Sequence, residues 1–313
     1  MFVLNPDPYS TPVYRIGTFV TQSIARNSKL EASWSEVAIN YLNQRFGSDN
    51  WILTINGREA MALAMQSLNL SKTANTTILT PSNNFYISGC VTSTIEKYCH
   101  WNREKGDQSD AYFVNHEFGY LYQDMEALTK ENIPIIEDCC TTFFSQNENK
   151  KIGKYGDFSV YSFSKFFSIQ IGGLLVSNKE KITDKLRHAS QLTEQEKHYI
   201  LKVIGFEISM KDEILAQRNT IWQYATKQYQ EFGFSLRFPS EKDVIPSLIL
   251  LNNHGIIKDL VAHKDYLNKH GIQNSVFYGE DAFFVPCHQN LNETDVDYIF
   301  SVTKNYKLNH DSK

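Results

Sequence analysis

Two kinds of hydrophobic spacing alternate along the chain. Between Trp34 and Phe46 apolar residues fall at Val37, Ala38, Tyr41, Leu42 and Phe46, the three-and-four spacing that gathers side chains on one helical face. Ser33 gives that helix a polar start. A second stripe begins near Gly57 and runs through Ala60, Met61, Ala64, Met65 and Leu68. The next run is different: Thr77-Ile78-Leu79-Thr80, closed by Pro81, has the length of a buried strand. Similar runs recur at 111–114, 133–136, 158–163 and 173–176, with a helical stretch over 123–132. Strands alternating with helices predict an α/β fold with a mostly parallel sheet.

After about residue 178 the pattern changes. A charged, Gln-rich segment over 179–202 leads into a long amphipathic stretch, 211–232, which reads as a helix linking two parts of the molecule. Beyond it we expect a strand over 246–251, a helix over 257–270, a strand over 272–277 and a last helix over 293–306 capped by Asn292. This predicts a large domain over residues 1–200 and a small α+β domain over 201–313. No internal repeat or low-complexity tract interrupts either.

Composition narrows the functional classes. With 313 residues, 42% of them apolar, the chain can bury a full core. Its 31 Lys plus Arg against 35 Asp plus Glu lack the cation excess that a nucleic-acid binder needs. No apolar run approaches the roughly 18 residues of a membrane span, and the first residues carry no basic-then-apolar secretion signal. Five cysteines, an odd number without C-x-x-C spacing, read as reduced thiols in a cytoplasmic protein. Cys99-His100 and Cys287-His288 are adjacent pairs that point apart on a strand, so no metal site is expected.

In a parallel sheet, ligands bind at the carboxyl ends of the strands. Three such ends carry chemistry. Asn56-Gly57-Arg58 opens a helix whose free N–H groups could cradle a phosphate, although a capped helix alone would look the same. The run 133–138 ends in Glu137 and Asp138, of which one must face each side of the sheet. The run 158–163 delivers Lys165 among Phe163, Phe166 and Phe167, an apolar surround that favours a nucleophilic amine. Lys150, Lys151 and Lys154 are rivals, but they belong to a polar turn. A cradle, a strand-end acid and a strand-end lysine are the fixtures that pyridoxal phosphate requires, with Phe85 placed to stack on its ring. His116 and His288 read as satisfied structural histidines.

These segments resemble the DegT/StrS-type nucleotide-sugar aminotransferases, pyridoxal-phosphate enzymes of the aspartate-aminotransferase fold. The resemblance rests on N-G-R-E-A-M-A-L-A (56–64), P-S-N-N-F (81–85), H-E-F-G (116–119) and I-P-I-I-E-D-C-C (133–140). It continues in G-D-F-S-V-Y-S-F-S-K (156–165), G-G-L-L-V-S-N (172–178) and V-P-C-H-Q-N-L-N-E-T-D-V-D-Y-I (285–299). It implies a three-layer fold, Lys165 as Schiff-base lysine, Asp138 on the pyridine nitrogen, Phe85 on the ring, and Gly57, Arg58 and Ser162 on the phosphate. It also implies a homodimer, with the 211–232 stretch as a contributor to the interface. The chain departs from the family in four places. Thr141 replaces a Gln that faces the ring hydroxyl, and Cys139-Cys140 replace alanines. Two residues are missing between Ser162 and Lys165, and Glu207 stands where an Asn-Tyr-Arg stretch usually reaches the partner's phosphate. The implied activity is transfer of an amino group, with glutamate as the expected donor, to a keto-deoxysugar nucleotide for a surface polysaccharide. The alternatives are a sugar dehydratase on the same cofactor, and a homologue that binds cofactor or partner without turnover.

Overall fold

The computed structural model describes residues 2–7, 11, 13–82, 87–106, 109–149, 151–241 and 243–310. Helix α1 (Thr21–Ser28) precedes α2 (Trp34–Phe46), which has the predicted bounds. Strand β1 (Trp51–Thr54) leads into α3 (Gly57–Leu68), then β2 (Asn75–Leu79), α4 (Gly89–Ile95) and β3 (His100–Asn102). Next come β4 (Ala111–Asn115), α5 (Met125–Leu128), β5 (Ile135–Asp138), β6 (Phe158–Ser162) and β7 (Gly173–Ser177). The strands form a seven-stranded sheet in the order β1-β7-β6-β5-β4-β2-β3. The neighbours from β6 to β3 pair parallel, and β7 runs antiparallel to both β6 and β1. Helices cover both faces, giving three layers. On one side Ala60, Met61 and Ala64 of α3 pack with Ile136, Val160 and Leu175. On the other, Ala38 and Leu42 of α2 pack with Tyr161, Leu174 and Val176.

The chain continues through α6 (Asp184–His188), α7 (Glu194–Ser209) and α8 (Lys211–Glu231), then β8 (Ser235–Leu236) and β9 (Leu248–Asn252). It ends with α9 (Leu260–Lys269), β10 (Ser275–Val276), β11 (Ala282–Pro286) and α10 (Glu293–His310). The last four strands form an antiparallel sheet, β10-β11-β9-β8. Both of its faces are buried. Ile249, Leu251, Phe283 and Val285 face α8, α9 and α10, while Leu248, Leu250 and Phe284 join the core of the large sheet. Two-sided burial explains why β9 and β11 read as apolar runs rather than alternations. The N-terminal segment joins this second layer: Tyr14 bridges Ile272, and Asn5 N–H donates to the Lys269 carbonyl.

Three sequence expectations change. The helix over 123–132 contracts to α5 and one 3-10 turn, because Asn132 adopts a left-handed φ of 55° and only Met125 and Leu128 reach the core. The strand over 272–277 contracts to β10. The segment over 194–209, read only as charged, is the full helix α7. Its buried stripe is Ile200, Val203, Ile204 and Ile208, and its start is a Thr193–Glu196 capping box. Gly205 allows α7 to lie against α2, since a Cβ there would meet the Trp34 carbonyl oxygen at 1.9 Å.

Candidate active site

Strand period fixes which carboxylate enters the site. Ile136 packs on α3, so Asp138, two residues on, points to the same side and Glu137 to the other. Register then aligns the strand ends, Asn115 beside Asp138 and Ser162 beside Gly173. The N-terminus of α3 closes over them. Asn56 caps the helix by accepting the Glu59 N–H at 3.0 Å, and the Glu59 carboxylate accepts the Ile55 N–H at 2.6 Å. The N–H groups of Gly57 and Arg58 take no hydrogen bond among the described residues. A Cβ at Gly57 would lie 2.7 Å from Cys140 Sγ and 3.2 Å from Ser162 Cβ, so any larger residue would have to displace the Cys140 side chain. Arg58 is exposed and Ser162 half-buried.

Asp138 is 6% exposed. Burial pushes its carboxyl above the ordinary range. The Cys140 N–H, 3.0 Å from Oδ1, and the Cys140 thiol oppose that shift, followed by His116 and then by the charge of Lys165. Among the described residues no cation lies within ion-pair distance of this acid. It is a buried carboxylate short of a positive partner. Glu137, fully buried on the opposite face, has the reverse environment. Its Oε1 accepts the Tyr155 and Gly156 N–H groups, and its Oε2 accepts the Gly153 N–H and His116 Nε2. His116 Nδ1 accepts the Tyr122 N–H, which leaves the ring proton on Nε2. His116 is therefore structural, as read from sequence. With Cys139 these two side chains converge within 4.8 Å, but four protein donors already occupy the Glu137 oxygens. The same bonds hold the turn that carries Lys151 and Lys154, both exposed.

Lys165 ends a 3-10 turn after β6 and is half-buried. Phe163, Phe166 and Phe167 do not enclose its amine; they pack into the core against Phe143 and Phe144. What fixes the lysine is a cage of side chains on the backbone that follows it. Arg218 of α8 donates to the Lys165 carbonyl at 3.0 Å, and Gln289 to the Phe166 carbonyl at 2.8 Å. Thr18 donates to the Phe167 carbonyl at 2.6 Å, and Asn27 of α1 to the Ser168 carbonyl at 2.9 Å. The Ser168 N–H goes to Glu207. Arg218, 1% exposed, also stacks on Phe166 with 4.3 Å between guanidinium and ring centre. Burial lowers its pKa to about 10. None of these anchors is a sequence neighbour of Lys165, so the chain alone gave no signal for them.

The model of the DegT/DnrJ/EryC1/StrS aminotransferase family matches residues 107–306. The chain belongs to this family. GDP-perosamine synthase of Escherichia coli O157:H7 is 24% identical over 225 residues, which cover 64% of this chain and 62% of the relative. A UDP-4-amino-4,6-dideoxy-N-acetyl-beta-L-altrosamine transaminase of Campylobacter jejuni is 22% identical over 61% of this chain and 65% of the relative. The chain thus matches less than two thirds of the length of these curated relatives. Among solved structures, the aminotransferase TlmJ of Streptoalloteichus hindustanus superposes with a TM-score of 0.71 at 15% identity, covering 95% of this chain and 99% of that one. Helicobacter pylori PseC gives 0.68 at 15% identity, covering 94% and 99%.

Two departures from the DegT/StrS pattern gain a physical meaning here. Glu207 does not stand in the open to repel a phosphate, as its place in the sequence suggested. It is 1% exposed inside α7, paired with Arg26 and bonded to Ser168. Thr141 donates its hydroxyl to the His116 carbonyl at 3.1 Å, so it ties the ends of β4 and β5 together. Phe85, the expected stacking residue, lies outside the described residues. Helix α8 turns its apolar stripe, Ile214, Ile221, Trp222 and Ala225, into its own chain and leaves Asp212, Glu213, Asn219 and Lys227 outside. Its apolar surface is thus not available to an interface between subunits.

Proposed function

We propose that this family member is a pyridoxal-phosphate-dependent aminotransferase acting on a nucleotide-linked keto-deoxysugar, with glutamate as donor. The observation that carries the reading is the under-partnered Asp138 beside the α3 N-terminus. A buried acid lacking a cation and two free helix N–H groups together match the two charged ends of the cofactor, a protonated pyridine nitrogen and a phosphate. When bound, the cofactor supplies an electron sink for the amino-acid carbon. The Gly57 and Arg58 N–H groups and the Ser162 hydroxyl would hold the phosphate, and Asp138 would keep the ring nitrogen protonated. Thr141 would face the ring hydroxyl, and Phe85 would stack on the ring. Lys165 would hold the cofactor through its aldehyde, and once the donor's amine has displaced it, the freed Lys165 amine would carry the proton between the amino-acid carbon and the cofactor. The names of the curated relatives, a GDP-sugar synthase and a UDP-sugar transaminase, support the substrate class.

The same reading divides the chain into a cofactor-binding domain, 1–200, and a small domain, 201–313, and makes the working unit a homodimer. It also puts the protein in the cytoplasm, which suits five unpaired thiols. Among the described residues no helix is long and apolar enough to cross a membrane. The test is the visible absorbance of the purified protein with added pyridoxal phosphate. Lysine-bound cofactor absorbs in the wild type, and glutamate shifts that band. In Lys165→Ala the band is absent. A wild type that gains no band with the cofactor overturns the reading, and sedimentation of the loaded protein as a monomer overturns the dimer.

A further inference from the structure

Lys165 and Ser164 line one wall of a 590 Å³ cavity whose other walls are the N-terminal segment around Arg15 and the turn around Gln273. The chemistry of these walls is one-sided. They carry two cations, Arg15 and Lys165, and no carboxylate. Arg15 makes no ion pair among the described residues. The two glutamines on the walls have their acceptor oxygens engaged: Gln170 Oε1 takes the Tyr199 hydroxyl at 2.8 Å, and Gln273 Oε1 takes the Ile16 N–H at 2.9 Å. Each oxygen is thus oriented by a protein donor, and the amide N–H groups remain to offer.

The backbone under Arg15 is fixed while its side chain is exposed. Tyr14 N–H donates to the Gly271 carbonyl and the Gln273 N–H to the Tyr14 carbonyl, both at 2.8 Å. His288 Nε2 donates to the Arg15 carbonyl at 3.1 Å. The backbone at the arginine is thus tied to the second sheet's layer, so only the side chain is left to be ordered when the guanidinium meets a ligand. A surface arginine needs none of this anchoring. A cavity with two cations, no carboxylate and a reactive amine on one wall calls for an anionic acceptor group. The planar guanidinium fork matches a carboxylate with two parallel bonds.

We infer that this cavity receives the amino donor, with Arg15 binding a carboxylate of the amino acid and the Gln170 and Gln273 amides adding hydrogen bonds. The inference rests on Lys165 as the reacting lysine. Glutarate, a dicarboxylate with no amine, is the probe, titrated calorimetrically into cofactor-loaded wild type, Arg15→Met and Arg15→Lys, with GDP as a parallel ligand. Arg15→Met weakens glutarate roughly 10–100-fold, the loss of a charge-assisted pair. Arg15→Lys recovers part of it, and GDP binding is unchanged. The glutamate concentration giving half-maximal change of the cofactor band rises by the same factor in Arg15→Met. Equal glutarate affinity in wild type and Arg15→Met, no glutarate binding by wild type, or a loss confined to GDP each overturns the inference. Absence of the lysine-bound band in the wild type is a separate result that overturns the aminotransferase reading, and glutarate titrated into the cofactor-free wild type and Arg15→Met then still decides the cavity.

Discussion

Glu137 and Asp138 are consecutive residues on β5, both buried, yet the molecule treats them in opposite ways. Glu137 receives four hydrogen bonds from the turn over 153–156 and His116. Asp138 receives the Cys140 N–H, and its charge has no close cation among the described residues. The face toward α2 is complete without a ligand, whereas the face toward α3 is left short of one positive group. A buried acid that is fully satisfied is scaffold. One that is left wanting marks where a ligand completes the structure, because an unpaired buried charge is kept only at a cost.

Substitutions that remove each charge separate the two roles. Asp138→Asn lowers the rate of amino transfer on the order of 100–1,000-fold, the size of effect expected when a preorganised charge facing the reacting group is removed. Single-turnover absorbance with glutamate measures it. Glu137→Gln is expected to leave little folded protein. Its amide nitrogen cannot accept from two of the four donors, and breaking such a buried cluster costs roughly 3–5 kcal/mol. Urea unfolding reads this loss.

The third prediction concerns the stability of Asp138→Asn without cofactor. In the folded chain burial raises the Asp138 pKa, so the unfolded chain loses this proton at lower pH than the native one. Stability therefore falls as pH rises from the ordinary carboxylate value, about 3.9, to the raised native value, and stays reduced above it. The amide of the Asp138→Asn variant has no such charge, and without cofactor this variant unfolds at the same or higher urea concentration than wild type at pH 7. If it is instead destabilised as much as Glu137→Gln, the contrast between the two faces is lost.

The sequence carries this contrast only in part. The alternation of β5 says that the two acids face apart, and the V-x-S-F-S-K end of β6 says which face holds the lysine. Helical periodicity gives α2, α3 and α8 nearly to the residue. Strands β1 and β11 escape the spacing argument altogether. Both are short apolar runs with no alternation, which sequence spacing cannot tell from other buried segments. The cage around Lys165 was not legible at all. Thr18, Asn27, Glu207, Arg218 and Gln289 lie between 39 and 149 positions from the carbonyls or N–H groups they bond, and each is an ordinary polar residue in its own neighbourhood. Glu207 misled for the same reason. Its place in the order of motifs suggested an open anion, and only the fold shows Arg26 beside it.

His288 extends the comparison to a base and carries the smallest effect. It is 2% exposed, donates through Nε2 to the Arg15 carbonyl and accepts the Asn290 N–H through Nδ1. Burial, with the Arg218 charge adding to it, lowers its pKa from 6.5 to about 3. Between those values the unfolded chain binds a proton that the native chain refuses, so stability rises with pH through this window. The contribution is fully present above about pH 6.5 and is lost as pH falls toward 3. A non-titrating replacement, His288→Gln, loses about 1–2 kcal/mol of hydrogen bonding at about pH 7.5. It also lacks the acid-side penalty, so the gap between wild type and variant narrows at about pH 5. Urea unfolding at the two pH values decides it: a gap of the same size at both would mean that the ring takes up its proton in the native fold, and that His288 is not the satisfied, neutral counterpart of Glu137.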